Sequence, residues 1–176
     1  IGVKSLVFNK LSISTKETMD IARNLNNIII LNLTSNKEEK RYCFYIENDT
    51  LINNRIGEEI KTKYKERRIN KKEYDNYKYS LITDEEIESV NDNICALFNQ
   101  MNNGYSYEDK IIKKNLTDDE YEKINTANLK GIRTDITWER FYPYGNTLRE
   151  VFGSVSTYKQ GIPKEYKDKY LKMGYN

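Results

Sequence analysis

The sequence predicts an α+β fold in which several amphipathic helices pack on a small, mostly antiparallel sheet. A Ser or Thr followed three residues later by Glu recurs before stretches whose apolar residues have helical spacing. Short runs rich in β-branched and aromatic residues alternate with these helices. No internal repeat and no low-complexity linker divides the 176 residues, so we expect one domain with one core.

The helices of the N-terminal half are predicted from capping pairs and from apolar residues repeated on one face. Ser14 and Glu17 form a capping box, and the helix that it opens would turn inward Ala22, Leu25 and Ile29. A second helical face repeats every four residues, at Ile52, Ile56, Ile60 and Tyr64. Asn70 with Glu73 then predicts the start of a further helix.

The helices of the second half follow from the same kind of pattern. Thr83 and Glu86 make the clearest capping box and predict one long helix with the inward residues Ile87, Val90, Ile94, Leu97 and Met101. We expect this helix to carry the core and Ser89 to lie in its middle. Thr117 and Glu120 cap another helix, which we expect to stop at Gly131.

Strands are predicted at residues 3–8, around residues 111–112 and at residues 132–138. In the last of these, Ile132, Ile136 and Trp138 alternate with polar residues, which is the pattern of a half-buried strand. Residues 40–47 are β-prone by propensity, although a helix there stays open.

The most informative stretch is residues 138–153, which read WERFYPYGNTLREVFG. Pro143 ends the preceding strand because proline cannot donate to a sheet ladder, and Gly145 tolerates the positive φ of a tight turn. A second apolar run follows at Leu148, Val151, Phe152 and Val155. Pro163 predicts the first turn of a last helix.

Composition excludes several classes of function. Charged residues make up 32% of the chain and hydrophobic ones 38%, which is typical of a folded, water-exposed domain. A net charge of +2 is too small to indicate a polyanionic partner. The chain has no histidine, so His-based catalysis and most zinc sites are excluded, and we expect no metal and no cofactor.

The two cysteines, Cys43 and Cys95, are not spaced as a metal or redox motif. Because each lies among apolar neighbours, we expect two buried, unreactive thiols. A disulfide outside the cell is the alternative.

The sequence RFYPYGNTLREVFGSV, followed by GIPKEYKDKYLKMGY, resembles the end of the N-terminal pedestal, or dimerisation, domain of class B penicillin-binding proteins. In that family an Arg-x-Tyr-Pro-x-Gly segment leads into a run that contains Leu and Gly. The residues on this pattern are Arg140, Tyr142, Pro143, Gly145, Leu148 and Gly153. Upstream of residue 105 the resemblance is confined to the order of the elements.

The resemblance implies that residues 1–176 are a single pedestal-domain fragment, with residues 154–176 leading towards a transpeptidase domain absent from this sequence. The parent would be a membrane-anchored, serine-type D,D-transpeptidase that cross-links peptidoglycan and is inhibited by β-lactams. This segment would lie on the extracytoplasmic face of the bacterial membrane. Since the chain begins at Ile1 without a methionine, we expect an excised piece whose anchor lies outside it.

The partners that the resemblance implies begin with the transpeptidase domain of the same chain. A membrane glycan polymerase, other cell-wall synthesis proteins and a homodimer are further candidates. Nucleic acid is not expected.

Three short patterns imitate the motifs of a penicillin-binding active site. Ser156 with Lys159 fits Ser-x-x-Lys, Ser89 with Asn91 fits Ser-x-Asn, and residues 61–63 approximate Lys-Thr-Gly. They run in reverse order, and the last lacks its glycine. We therefore treat all three as coincidence and expect no catalytic residue in this segment.

The alternative function is a free-standing binding protein, with nucleic acid as one candidate ligand. Residues 61–79, KTKYKERRINKKEYDNYKY, interleave cations with tyrosines that could hold phosphates and stack bases. The acidic residues Glu66, Glu73 and Asp75 dilute this charge. A solvated surface of two helices explains the stretch more simply.

The candidate interface residues are Arg140, Tyr142 and Tyr144, held on the turn that Pro143 and Gly145 fix. We expect these side chains to face the missing part of the parent, because Tyr and Arg combine a large apolar body with a polar end. A preformed turn would lower the ordering cost of docking. The alternative is that both tyrosines fold back onto their own domain.

Overall fold

A computed structural model of the chain describes residues Gly2–Trp138, which form one compact unit. The elements in chain order are β1 Gly2–Asn9, α1 Thr15–Leu25, α2 Lys37–Glu47, α3 Asp49–Arg55, α4 Glu58–Lys65, α5 Lys71–Ser80, α6 Asp84–Glu88, α7 Asp92–Asn102, β2 Asp109–Lys114, α8 Asp118–Ala127 and β3 Ile132–Trp138. The predicted α+β class is confirmed. Among the described residues, no helix is both long and apolar enough to cross a membrane.

The sheet has the strand order β2-β1-β3, and both of its pairings are antiparallel. β1 is therefore the central strand, although it comes first in the chain. Its residues Leu6 and Phe8 are fully buried and belong to the main core. Each of the two later strands supplies one edge of the sheet.

The core lies between this sheet and the helices α1, α2, α7 and α8, with further buried side chains from α3 and α6. The fully buried side chains include Met19, Leu25, Leu97, Phe98, Met101 and Ile124. The capping boxes at Ser14, Asn70, Thr83 and Thr117 all form as predicted, each with its Glu three residues later. They form because both partners are local and satisfy backbone donors that a helix start leaves free.

Residues 40–47 form most of α2. Their β propensity was therefore misleading, and the helix that the sequence left open is the structure that forms. The side chain of Asn36 accepts a hydrogen bond from the N–H of Glu39, and the Glu39 carboxylate accepts one from the N–H of Asn36. This capping box starts a helix that buries Cys43 and Phe44 against the core. Local capping and tertiary burial thus outweigh a strand propensity, which depends strongly on context.

The single helix predicted from Thr83 to Met101 is two helices, α6 and α7. Asn91 adopts an extended conformation, and its side chain accepts a hydrogen bond from the N–H of Ile94, which caps a new helix. Ser89 lies at the C-terminal cap of α6 rather than in mid-helix. The predicted inward residues are buried, except Ile94, which is only partly buried.

A second break separates α3 from α4, where one continuous helical face was predicted. Ile56 and Gly57 are both extended, so the chain leaves the helix and starts again. Ile52 and Ile56 are buried, whereas Ile60 is only partly buried. Tyr64 instead stacks on Tyr74 of α5, with the ring centroids 4.2 Å apart.

α8 ends before the predicted stop at Gly131. Its last residue is Ala127, and Asn128 caps it in the left-handed conformation. This is a conformation that asparagine tolerates better than most residues. Gly131 instead lies at the entrance to β3.

Candidate functional site

The residues predicted from the sequence to form the interface lie outside the described part of the chain. These are Arg140, Tyr142, Pro143, Tyr144, Gly145, Leu148 and Gly153, together with the imitation motif at Ser156 and Lys159. The described part ends at Trp138, two residues before this group. β3 is therefore the element that leads directly to it.

The entrance to β3 is built around Gly131. Its φ is +73°, and a Cβ added there would lie 2.5 Å from the backbone oxygen of Asn9 and 2.5 Å from Cδ1 of Ile13. The Gly131 carbonyl accepts a hydrogen bond of 2.9 Å from the N–H of Asn9. Only glycine combines that φ with so close an approach of two backbones.

A charged cluster crosslinks all three strands at this end of the sheet. Arg133 of β3 donates two hydrogen bonds to the Asp109 carboxylate of β2, at 2.9 and 2.7 Å. The Asn9 side chain of β1 donates to the same carboxylate at 2.8 Å. Arg133 and then Asn9 hold the pKa of the Asp109 carboxyl well below its usual range. The cluster therefore keeps its charges over the whole neutral range and fixes how β2, β1 and β3 align.

The outer end of β3 carries an exposed apolar pair. Ile136 is 49% exposed and Trp138 is 83% exposed, so the prediction that both supply burial to the core was wrong. Trp138 pairs with Gly2, the residue of β1 farthest from Phe8, and a Cβ added at Gly2 would lie 3.5 Å from both apolar side chains. The alternation of β3 is real, but the described core does not extend to that end of the sheet.

Helices α3 to α6, residues 49–88, form an arm that reaches the core through Ile52, Ile82 and Ile87. α4 and α5 bury no residue completely. The arm meets α2 through the rings of Tyr45 and Tyr79, 5.2 Å apart, and through a 3.2 Å hydrogen bond from Lys78 to the Tyr45 hydroxyl. Burial raises the pKa of Tyr79 to about 12.

The two ends of the arm are joined by an ion pair between α3 and α6. Arg55 donates hydrogen bonds of 2.9 and 2.6 Å to the two carboxylate oxygens of Glu86. The same carboxylate also accepts from the N–H of Thr83 in the capping box. Arg55 first, and then the Thr83 backbone, lower the pKa of Glu86 to about 2.

In the basic stretch 61–79, several Lys and Arg side chains form ion pairs with acidic neighbours. The ion pairs join Lys61 to Glu58, Lys63 to Glu59, Arg68 to Glu66 and Lys78 to Asp75. Two of its tyrosines stack on each other rather than standing free. This supports the solvated-surface interpretation over a nucleic-acid surface.

The imitation catalytic motifs within residues 2–138 have structural roles. The Ser89 hydroxyl donates a 2.7 Å hydrogen bond to the carbonyl of Glu86, and Asn91 caps α7. Lys61 pairs with Glu58 on the preceding turn.

The pairs Glu85-Glu86 and Asp118-Asp119 lie in first helical turns, where negative charge is favourable. No group of acidic, Cys or His side chains suited to a metal occurs in the part that the structure describes.

The two cysteines form a disulfide between α2 and α7, so the prediction of free thiols was wrong. Burial was predicted correctly, since Cys43 is 1% and Cys95 0% exposed. Their neighbours in sequence could not reveal the bond, because the partners are 52 residues apart and meet only through helix packing. An even number of cysteines was the only available signal.

Comparison with known proteins gives the family. Residues 3–176 match the family model described as the penicillin-binding protein dimerisation domain. Penicillin-binding protein 2A of Bacillus subtilis (strain 168) is 27% identical over 176 residues, which cover 94% of this chain and 24% of that protein. Penicillin-binding protein H of the same organism is 43% identical over 65 residues, 36% of this chain and 9% of that protein. The chain thus spans about a quarter, or less, of the curated relatives that it matches.

Solved structures agree with the fold. The chain matches penicillin-binding protein 2B of Streptococcus pneumoniae strain R6 with a TM-score of 0.56 and 19% identity, covering 100% of this chain and 28% of that one. The protein from strain 5204 gives a TM-score of 0.52 and 20% identity at the same coverage. The family match does not favour a nucleic-acid-binding protein. The chain belongs to the penicillin-binding protein dimerisation domain family, the N-terminal pedestal domain of class B penicillin-binding proteins.

Proposed function

We propose that this chain is the non-catalytic pedestal of a membrane-anchored, serine-type D,D-transpeptidase that cross-links peptidoglycan through an acyl-serine intermediate. The observation that carries the proposal is the family match over residues 3–176, nearly the whole chain. Its task would be to hold the catalytic domain at a working distance and in a fixed orientation. The chemistry itself would belong to the remainder of the parent.

The sheet supports a positioning role because its geometry is fixed at several points. β3 is paired along its length with β1, and the Arg133 cluster joins all three strands. Residues 139–153 follow β3 directly in the sequence. A rigid spacer transmits orientation, whereas a flexible one sets only a distance.

We place this domain on the extracytoplasmic face of the bacterial membrane. The penicillin-binding identity of the relatives supports that location. The Cys43–Cys95 disulfide supports it independently, because such bonds persist outside the cytosol and are rare within it.

The proposed partners begin with the transpeptidase domain of the same chain, which would contact the surface around Arg140, Tyr142 and Tyr144. A membrane glycan polymerase, another cell-wall synthesis protein or a second copy of the chain would use other surfaces. The exposed Ile136 and Trp138 provide one apolar patch for such contacts.

The proposal is tested with a fluorescent penicillin. The gene should continue past Asn176 and encode Ser-x-x-Lys, Ser-x-Asn and Lys-Thr-Gly in that order. The full-length protein should be labelled covalently, and replacement of its Ser-x-x-Lys serine should abolish the label. The 176-residue chain should remain unlabelled, and Ser156→Ala should make no difference. A stop codon at Asn176, or labelling of the fragment that Ser156→Ala removes, would overturn the assignment.

A further inference from the structure

The Cys43–Cys95 disulfide connects two helices that belong to the core. Cys43 lies on α2 and Cys95 on α7, with their Cα atoms 5.8 Å apart. Both residues lie in the main cluster of buried side chains. The amide of Asn99 and the carbonyl of Glu39 each lie 3.5 Å from the Cys95 sulfur. The bond is therefore enclosed by the packed core.

The chain between the two cysteines includes residues 57–81, none of which is buried. It contains the arm, in which α4 and α5 bury no residue completely. The arm follows α2 and precedes α7 in the chain. The disulfide consequently joins the two helices that come directly before and after the arm.

We propose that Cys43 and Cys95 are an oxidative modification site, cross-linked by a thiol–disulfide oxidoreductase before the domain has finished folding. The proposal rests on the extracytoplasmic location proposed above, because the cytosol would keep both thiols reduced. The partner is identified by its chemistry alone, namely a protein disulfide that exchanges with cysteine thiols.

The reaction is a pair of thiol–disulfide exchanges. One chain thiolate attacks the disulfide of the oxidoreductase, which forms a mixed disulfide and releases one sulfur of that enzyme as a thiolate. The second chain thiolate then displaces the remaining enzyme sulfur, and the Cys43–Cys95 bond forms. In total the two chain thiols lose two electrons and two protons, which convert the oxidoreductase disulfide into a dithiol.

The timing follows from burial. Exchange requires a sulfur to approach in line with the bond that breaks, and the folded domain exposes neither cysteine to a protein-sized reagent. The sulfurs are reachable while α2 and α7 are still unpacked. Cys43 also precedes its partner by 52 residues, so an enzyme acting as the chain emerges would meet Cys43 first. We therefore expect Cys43 to carry the mixed disulfide.

With the disulfide intact, the arm should be able to open locally without unfolding the rest of the domain. Because the disulfide lies at the base of the arm, cleavage within it would leave the two parts of the domain covalently joined. Global unfolding would be needed before a reductant reached the sulfurs. We expect dithiothreitol to reduce the native bond at least about 100-fold more slowly than the urea-unfolded one, in line with such protection.

The principal experiment uses the natural full-length protein in its own membranes. Free thiols are blocked by acid quenching and N-ethylmaleimide, and trypsin then releases residues 42–55 with Cys43 and residues 79–110 with Cys95. Mass spectrometry should find these two peptides linked, and reduction should separate them. Two separate peptides that both carry the maleimide would overturn the proposal.

A variant identifies the enzymatic step. Cys95→Ser removes the resolving thiol, so Cys43 should accumulate in a protein adduct that reducing agents release. The double variant Cys43→Ser/Cys95→Ser is the matched control and should lose that adduct. If Cys43 in the Cys95→Ser protein is fully alkylated instead, no mixed disulfide has formed and the proposed oxidoreductase step is refuted. Equal reduction rates for the native and urea-unfolded bond would likewise refute oxidation before folding.

Labelling the same membranes with a fluorescent penicillin separates this proposal from the proposed function. Labelled protein with two free thiols would refute the modification site and leave the pedestal assignment standing. Linked peptides in a full-length protein that never labels would refute the transpeptidase activity proposed for the parent and leave the modification site standing.

Discussion

Replacing Gly131 with alanine adds one methyl group at the entrance to β3, where two backbones approach closely. The new Cβ would lie 2.5 Å from the Asn9 carbonyl oxygen and 3.1 Å from the Phe8 ring. The first distance is too short for any real contact, so the backbone has to move. The Asn9 N–H to Gly131 carbonyl bond would be strained by the same movement.

Two costs add in this variant. A positive φ costs an alanine about 1–2 kcal/mol relative to glycine, partly offset by about 0.4–1 kcal/mol because alanine has fewer unfolded conformations. Forcing extra volume into a packed site costs about 1–3 kcal/mol more. We expect Gly131→Ala to lower the free energy of unfolding by about 2–4 kcal/mol in total.

Gly104→Ala is the matched control. Gly104 has a φ of +70°, close to that of Gly131, but the nearest atom to its added Cβ is a Glu108 carboxylate oxygen at 3.8 Å. This variant carries the backbone cost alone, about 1 kcal/mol. Urea unfolding of the 176-residue chain, followed by far-ultraviolet circular dichroism, compares the two. Equal losses would refute the close approach at Gly131, and the packing of β3 beside β1 would have to be redrawn.

Three further predictions concern the core, the arm and the residues beyond β3. Leu97→Ala should lower the free energy of unfolding by about 2–5 kcal/mol because Leu97 is fully buried, whereas Ser89→Ala should cost under about 1 kcal/mol in the same urea titration; a costlier Ser89→Ala would refute the assigned core. Glu86 stabilises the fold as a carboxylate, so its contribution is present above its unfolded pKa near 4.5 and is lost as the pH falls towards 2. The urea midpoint of Glu86→Gln should therefore lie below that of the unchanged protein at neutral pH. Between pH 4.5 and pH 2 the midpoint of Glu86→Gln should fall less steeply than that of the unchanged protein, and parallel curves would contradict this. Tyr144→Ala should leave the thermal midpoint of the fragment nearly unchanged but speed proteolysis between the pedestal and the catalytic domain of the full-length protein; a large drop in the fragment's midpoint would instead place Tyr144 in the core.

Local signals in the sequence predicted local structure well. The capping boxes at Ser14, Asn70, Thr83 and Thr117 formed because their hydrogen bonds span only three residues. The strands were found from alternation and propensity, since both depend on neighbouring residues. Helix breaks were harder to predict, because Asn91 caps a new helix inside an otherwise continuous apolar pattern.

Features that depend on distant residues could not be read in the same way. The exposure of Trp138 follows from its pairing with Gly2 at the far end of β1, and alternation within β3 contains no information about that register. The disulfide depends on how α2 packs against α7. The motif at Arg140 and Tyr142 was recognised by resemblance, and its role as an interface stays a prediction because it lies outside the described residues.

The central position of β1 has a consequence for the order of folding. Its nearest strand partner, Asp109 of β2, follows Asn9 by 100 residues, and β3 comes later still. During synthesis or export with the N-terminus first, the apolar run from Leu6 to Phe8 thus remains without a neighbouring strand until most of the domain has emerged. Unpaired apolar strands are prone to intermolecular association, and contacts that are distant in sequence form slowly. The N-terminal strand is therefore the segment that a holding chaperone would have most reason to cover.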